Sequence, residues 1–221
     1  MPYRRPAALL LAAGLLTSCA IVTSPADVTP DVYVGDPVVA PDARDAFGAG
    51  PVEDAWDEIT SFALETSFQE RLVDPRESSY TPEELTRGVV PRMTPDAGEG
   101  WSQLVAAALG GSTQAQEDVQ LLTLFQVDAP GSRVPGNGQV VSSQAITDGK
   151  IGLVAATSDT PARLAVSFRQ SATLTYEEAD TPYGLAARKT MTFQLEPAPG
   201  TGDPGWLIAE YEGDLQLDLE E

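Results

Sequence analysis

Apolar side chains along this chain follow two periods, and the change between them divides the sequence. Trp56, Ile59, Phe62, Ala63, Leu64, Phe68 and Leu72 recur at intervals of three and four. That spacing predicts one face of an amphipathic helix, with Asp54, Glu58, Glu65 and Glu70 mostly off the stripe and Asp74-Pro75 ending it. Thr81-Pro82-Glu83-Glu84 follows. Thr81 can cap a second helix, Pro82 suits its first position and Glu84 can reach back to complete a capping box. Leu85, Val89 and Val90 give it an apolar side before Pro91. Trp101, Leu104, Val105 and Leu109 mark a third helix, stopped by Gly110-Gly111. A capping box from Thr113 to Gln116 opens a fourth, with Val119, Leu122 and Phe125 at helical spacing.

Asp128 to Gly138 is turn chemistry, rich in Pro and Gly. Beyond it the period becomes two. Val140 to Ile146 and Lys150 to Ala156 read as strands around a Thr147-Asp148-Gly149 turn. Leu164, Val166, Phe168, Ala172, Leu174 and Tyr176 alternate with polar residues, and only Gln170 breaks the apolar side. Met191, Phe193 and Leu195 form a further strand. The last runs from Trp206 to Leu219, where Leu215, Leu217 and Leu219 alternate with Asp214, Gln216 and Asp218 and Gly213 suggests a bulge or bend. Helices first and strands afterwards predict an α+β domain, with helices packed on one face of a curved antiparallel sheet.

Before Glu53 neither period survives. Pro25, Pro30, Pro37, Pro41 and Pro51 interrupt residues 20–52, and Asp27, Asp31, Asp36, Asp42 and Asp45 charge them. The segment is expected to be a disordered tether reaching roughly 30 Å or more. A short edge strand at Val32-Tyr33-Val34 is the alternative. The expected organisation is therefore a leader over 1–18, a tether over 19–52 and one domain over 53–221. That domain is long enough for a core of its own.

The leader carries chemistry. Tyr3, Arg4 and Arg5 precede an apolar run of ten residues, Ala7 to Leu16, which is half of the about 20 that cross a bilayer. Leu16-Thr17-Ser18-Cys19 follows, and Cys19 is the only cysteine. The segment resembles a bacterial lipoprotein signal peptide with its lipobox. The resemblance implies that the Cys19 thiol takes a diacylglyceryl group and that cleavage leaves Cys19 first in the mature chain. It places the protein on the extracytoplasmic face of the cell membrane. Two acyl chains anchor stably where one does not, at about 0.8 kcal/mol per buried methylene. An ordinary signal peptide cleaved near Ala20 is the alternative.

Charge narrows the partners. The chain has 33 acids against 13 Lys and Arg, no histidine, and a net charge of −20. Phosphate binding depends on Lys and Arg, so nucleic acid is not expected as a partner. Such a field could attract cations or a basic partner, but the acids are scattered, which favours a plain solvated surface. The Ala, Gly, Pro, Asp and Arg bias resembles that of high-GC actinobacteria.

Without histidine, and with Cys19 assigned to lipid, the chain offers no Ser-His-Asp triad, no Cys nucleophile and no zinc site built on His or Cys. It has no P-loop and no GxGxxG. Asp148-Gly149 and Asp214 lack the alternating acids of a calcium loop. No catalytic residue, metal or cofactor is expected. Trp56, Phe62, Phe68, Trp101, Phe168, Tyr176, Phe193, Trp206 and Tyr211 lie in patterned elements, which suits a core. If the sheet instead leaves an apolar pocket, Phe62, Trp101, Tyr176 and Tyr211 are its candidate ligand-binding residues. Arg169 and Arg188 either pair with surface acids or orient an anionic ligand.

N-terminal helices, then a long meander ending in Gly205-Trp206-Leu207-Ile208-Ala209-Glu210-Tyr211, resemble the cone-shaped nuclear transport factor 2-like fold. The resemblance covers about Glu53 to Leu219 and departs in the long helical stretch from Trp101 to Phe125. The half-barrel of exported lipid-binding lipoproteins is the alternative fold. The readings that follow are a non-enzymatic envelope module docking another protein, a carrier of a small apolar ligand or lipid, and an isomerase- or dehydratase-type enzyme of the cone-fold family. Fold analogy does not choose among them.

Overall fold

A computed structural model describes residues 30–127, 132–200 and 205–220. Cys19 and the rest of the leader lie outside the described residues. The chain is α+β. Strand β1 (Asp31–Val34), β2 (Val38–Val39), α1 (Pro41–Phe47) and α2 (Ala49–Thr66) come first. They are followed by α3 (Glu70–Val73), α4 (Pro82–Thr86), a 3-10 turn (Val90–Arg92), α5 (Pro95–Leu109) and α6 (Thr113–Leu122). Four long strands complete the fold: β3 (Val141–Val154), β4 (Arg163–Glu178), β5 (Thr181–Pro197) and β6 (Trp206–Glu220).

The sheet is open and six-stranded, in the order β1-β3-β4-β5-β6, with β2 also on β3. β3 to β6 form an antiparallel meander, whereas β1 and β2 run parallel to β3. The sheet is thus mixed rather than wholly antiparallel. The β4–β5 hairpin closes on Ala179 and Asp180, both at positive φ. That matches the two-residue turn whose twist suits paired strands.

Part of the expected tether is regular structure. From Asp31 onward the chain laces along β3, through β1 and β2 and through Gly35 N–H donating to Ile146 O at 3.0 Å and Ala40 N–H to Ile151 O at 2.8 Å. Pro41 then opens α1, and Ala43 and Val52 are buried. β1 is the short edge strand at Val32-Tyr33-Val34 that the sequence offered as the alternative, and every residue of it is exposed. Backbone pairing holds the strand, so no alternation was needed.

Other boundaries moved for local reasons. The helical stripe from Trp56 to Leu72 is broken at Ser67, whose carbonyl accepts from Leu124 N–H at 2.8 Å. Ser112, not Thr113, caps α6, accepting from Ala115 N–H. The expected Thr147-Asp148-Gly149 turn is an irregularity inside the single strand β3, with Asp148 at positive φ. A Cβ on Gly149 would come within 2.3 Å of the Trp56 indole. Gly213 stays in register opposite Met191, and the bulge falls instead between Glu210 and Ile208.

Helices cover one face of the sheet. Val52, Ala55, Trp56, Ile59, Phe62 and Ala63 of α2 are buried at the helical spacing. With Trp101 and Val105 of α5, Val119 of α6 and Phe168, Met191 and Phe193 of the sheet they form the main cluster. A second cluster gathers Phe68, Val73, Leu124, Val140, Leu174 and Tyr176. The other sheet face carries Ser, Thr, Arg and Glu, as antiparallel sheets with one solvated face do.

Candidate interaction surface

The four aromatics considered for a ligand pocket are packed side chains. Phe62 meets Phe193 edge-on at 6.3 Å, and Trp101 meets Tyr211 at 6.0 Å while its Nε1–H donates to Leu85 O at 3.1 Å. Tyr176 lies in the second cluster, where its hydroxyl donates to Val73 O at 3.0 Å. Phe62 and Trp101 belong to the main cluster, and half-buried Tyr211 packs against it. Burial pushes both tyrosine hydroxyls above the usual phenol range. The space bordered by Phe62, Ile59, Trp206 and Ile208 holds only about 10 Å³. One water needs about that much.

A polar seam separates the two apolar clusters. Gln170 of β4 and Lys189 of β5 stand directly opposite in register, and Gln144 of β3 is the diagonal neighbour of Gln170. All three are buried on the helix face. Gln170 Nε2–H donates to Ala63 O at 3.0 Å and to Gln144 Oε1 at 3.4 Å, tying α2 to the sheet. Among the described residues Lys189 Nζ, Gln170 Oε1 and Thr123 Oγ1 have no hydrogen-bond partner. Lys189 Nζ lies 4.7 Å from the centre of the Phe68 ring. That contact favours a cation by about 0.5–2 kcal/mol. Full burial outweighs it and holds the Lys189 pKa well below the usual lysine range. At 1 % exposure the side chain has no access to a substrate.

Carboxylates on the helices reach the sheet over long sequence distances. Glu70 accepts from the N–H groups of Val140 and Val141, each at 2.8 Å. Glu58 accepts from Trp206 N–H at 3.0 Å. Both act structurally. The two arginines weighed as anion binders pair with acids: Arg169 with Asp148 at 3.2 Å and Arg188 with Asp218 at 2.6 Å. Among the described residues no group of three or more acids converges as a metal site, and no helix is long and apolar enough to cross a membrane.

The surface is more distinctive. The large apolar side chains left exposed are Val32, Tyr33, Val34, Val38, Leu217 and Leu219. The first four lie on β1 and β2 along one sheet edge, the last two on β6 at the other. Exposed apolar edges are usually blunted or covered, and where they persist they mark contact surfaces. The start of β6 is covered: Thr94 N–H donates to Ile208 O at 2.9 Å. Farther along, Gly213, Asp214, Leu215 and Leu217 face Gln114, Glu117, Asp118, Gln120 and Leu121 of α6 across a groove of about 490 Å³. Sequence reading found the Leu215-Leu217-Leu219 alternation but had no means of showing that helices leave its end bare.

No protein-family model matches the chain, and comparison with curated proteins and with solved structures found no match.

Proposed function

We propose that this protein is a cell-envelope lipoprotein, anchored through diacylated Cys19, that acts as a non-enzymatic module docking another envelope protein. One observation carries the docking half of this reading: among the described residues the exposed large apolar side chains sit on the two edges of the open sheet, while the aromatic side chains between sheet and helices are packed in the core. Binding therefore takes place on the outside of the domain. The anchoring half rests on the Leu16-Thr17-Ser18-Cys19 signal. The finer fold assignment is the nuclear transport factor 2-like cone, supported by helices that precede a long four-stranded meander and cover one face of it.

Native mass spectrometry of the protein gently extracted from its own envelope tests the reading. A protein partner at fixed stoichiometry, on a chain carrying the acyl mass, is the expected outcome. A dissociating small molecule would instead favour a carrier. Cys19→Ala is expected to abolish labelling by palmitate, and label retained in that variant would overturn the anchor.

A further inference from the structure

We infer that the C-terminal half of β6 takes up an extended segment of a different protein, in which Lys or Arg alternates with apolar residues, as an added strand. This deepens the docking reading proposed above and rests on it. An edge strand presents unpaired N–H and C=O groups along its outer side, and a peptide in extended form satisfies them while alternate side chains give specificity. Beyond Tyr211, β6 supplies such an edge with Leu217 40 % and Leu219 71 % exposed on its helix-side face. The groove between this face and α6 would hold the apolar side chains of the incoming segment.

Charge selects the partner. Glu117 and Asp118 of α6 line the groove, and no cation lines it. On the opposite face of the strand Glu212 and Asp214 are exposed acids, while Asp218 beyond Gln216 pairs with Arg188. A second copy of this chain, pairing β6 with β6, would place acids beside acids, and like charges directly opposite are destabilising. A segment whose cations alternate with apolar residues sets its apolar side chains against the groove and all its cations on the face of Glu212 and Asp214. The β1 edge has apolar residues but no such pattern, since Asp31 is its single charge.

The test uses the full chain in non-ionic detergent and a synthetic decapeptide alternating lysine with valine and leucine. One control has the same composition with its lysines in a block, and another has glutamate in place of lysine. The alternating peptide is expected to bind at least about tenfold more tightly than either control and to slow amide exchange at 212–219. Glu212→Lys with Asp214→Lys, both exposed on the face of β6 away from the helices, is expected to weaken it by about tenfold. Equal binding of the blocked peptide, protection confined to another edge, or no binding would overturn the inference. If the peptide fails while native mass spectrometry still finds a partner at fixed stoichiometry, the docking reading stands and the surface lies elsewhere.

Discussion

Lys189 occupies a position where the inward row of β5 otherwise places Leu185, Ala187, Met191, Phe193 and Leu195. Its lowered pKa has a signed consequence. Between that value and about 10.4, where lysine titrates in an unfolded chain, the unfolded state binds a proton that the folded state does not. Stability therefore rises with pH across that window, by up to about 1.4 kcal/mol per unit, and falls as the medium becomes less alkaline. Lys189→Met is expected to remove this slope and to stabilise the fold at neutral pH by about 1–3 kcal/mol, since it deletes an unpaired buried polar group. Urea midpoints from about pH 6 to 10 check it, and an unchanged slope would assign the dependence to another group. The residue also explains a gap in the sequence reading. A lysine at an inward position, after Pro182 and Gly184, masks the alternation that makes 181–189 a strand. Gln170, by contrast, was visible as the one break in an otherwise apolar row, because its flanking residues keep the period.

Among the elements, the most legible were those whose local chemistry is self-contained. The α4 capping box forms as its four residues imply, with Thr81 N–H donating to Glu84 Oε2 at 2.8 Å. That hydrogen bond, chiefly, lowers the Glu84 carboxyl pKa. Long-range demands were less legible. Gly213 reads as a bulge, yet its role is close approach: a Cβ there would meet Met191 Sδ at 2.5 Å and Thr190 O at 2.7 Å. The second of these atoms is backbone, so a side-chain movement cannot relieve it. Gly213→Ala is expected to destabilise the domain by about 1–3 kcal/mol and to loosen the β5–β6 pairing. The denaturation midpoint reports the first effect and amide exchange in 188–194 the second; a midpoint unchanged from the parent would show that the strands accommodate the methyl group. The carboxylates of Glu58 and Glu70 belong to the same category. Both read as solvated faces of helices, and only the tertiary fold brings them to strand N–H groups.

For the molecule as a whole, the largest change from the sequence reading is where the domain begins. Residues 31–52 cover the β3 edge and bring Ala43 and Val52 into the core. Burying Val52 alone contributes about 1.5–3 kcal/mol. A protease of broad specificity is therefore expected to leave a stable fragment beginning near residue 30. A chain shortened to start at 53 should unfold at lower denaturant than the parent; equal midpoints would return that segment to the status of a tether. The α+β class was legible because the switch from a three-and-four period to a period of two survives over long stretches. Of the parallel edge strands, β1 was legible only as an alternative and β2 not at all, because exposed side chains write little pattern. An open sheet also has two ends, and here they differ. From β1 to β6 there are four steps, each about 4.8 Å wide and each turned by roughly 20–25° in the same sense. Strands added beyond the two ends would be six such steps apart, so their directions would differ by roughly 120–150°. If both edges are filled, the domain is a bivalent corner piece that fixes the angle between two partners as well as their spacing.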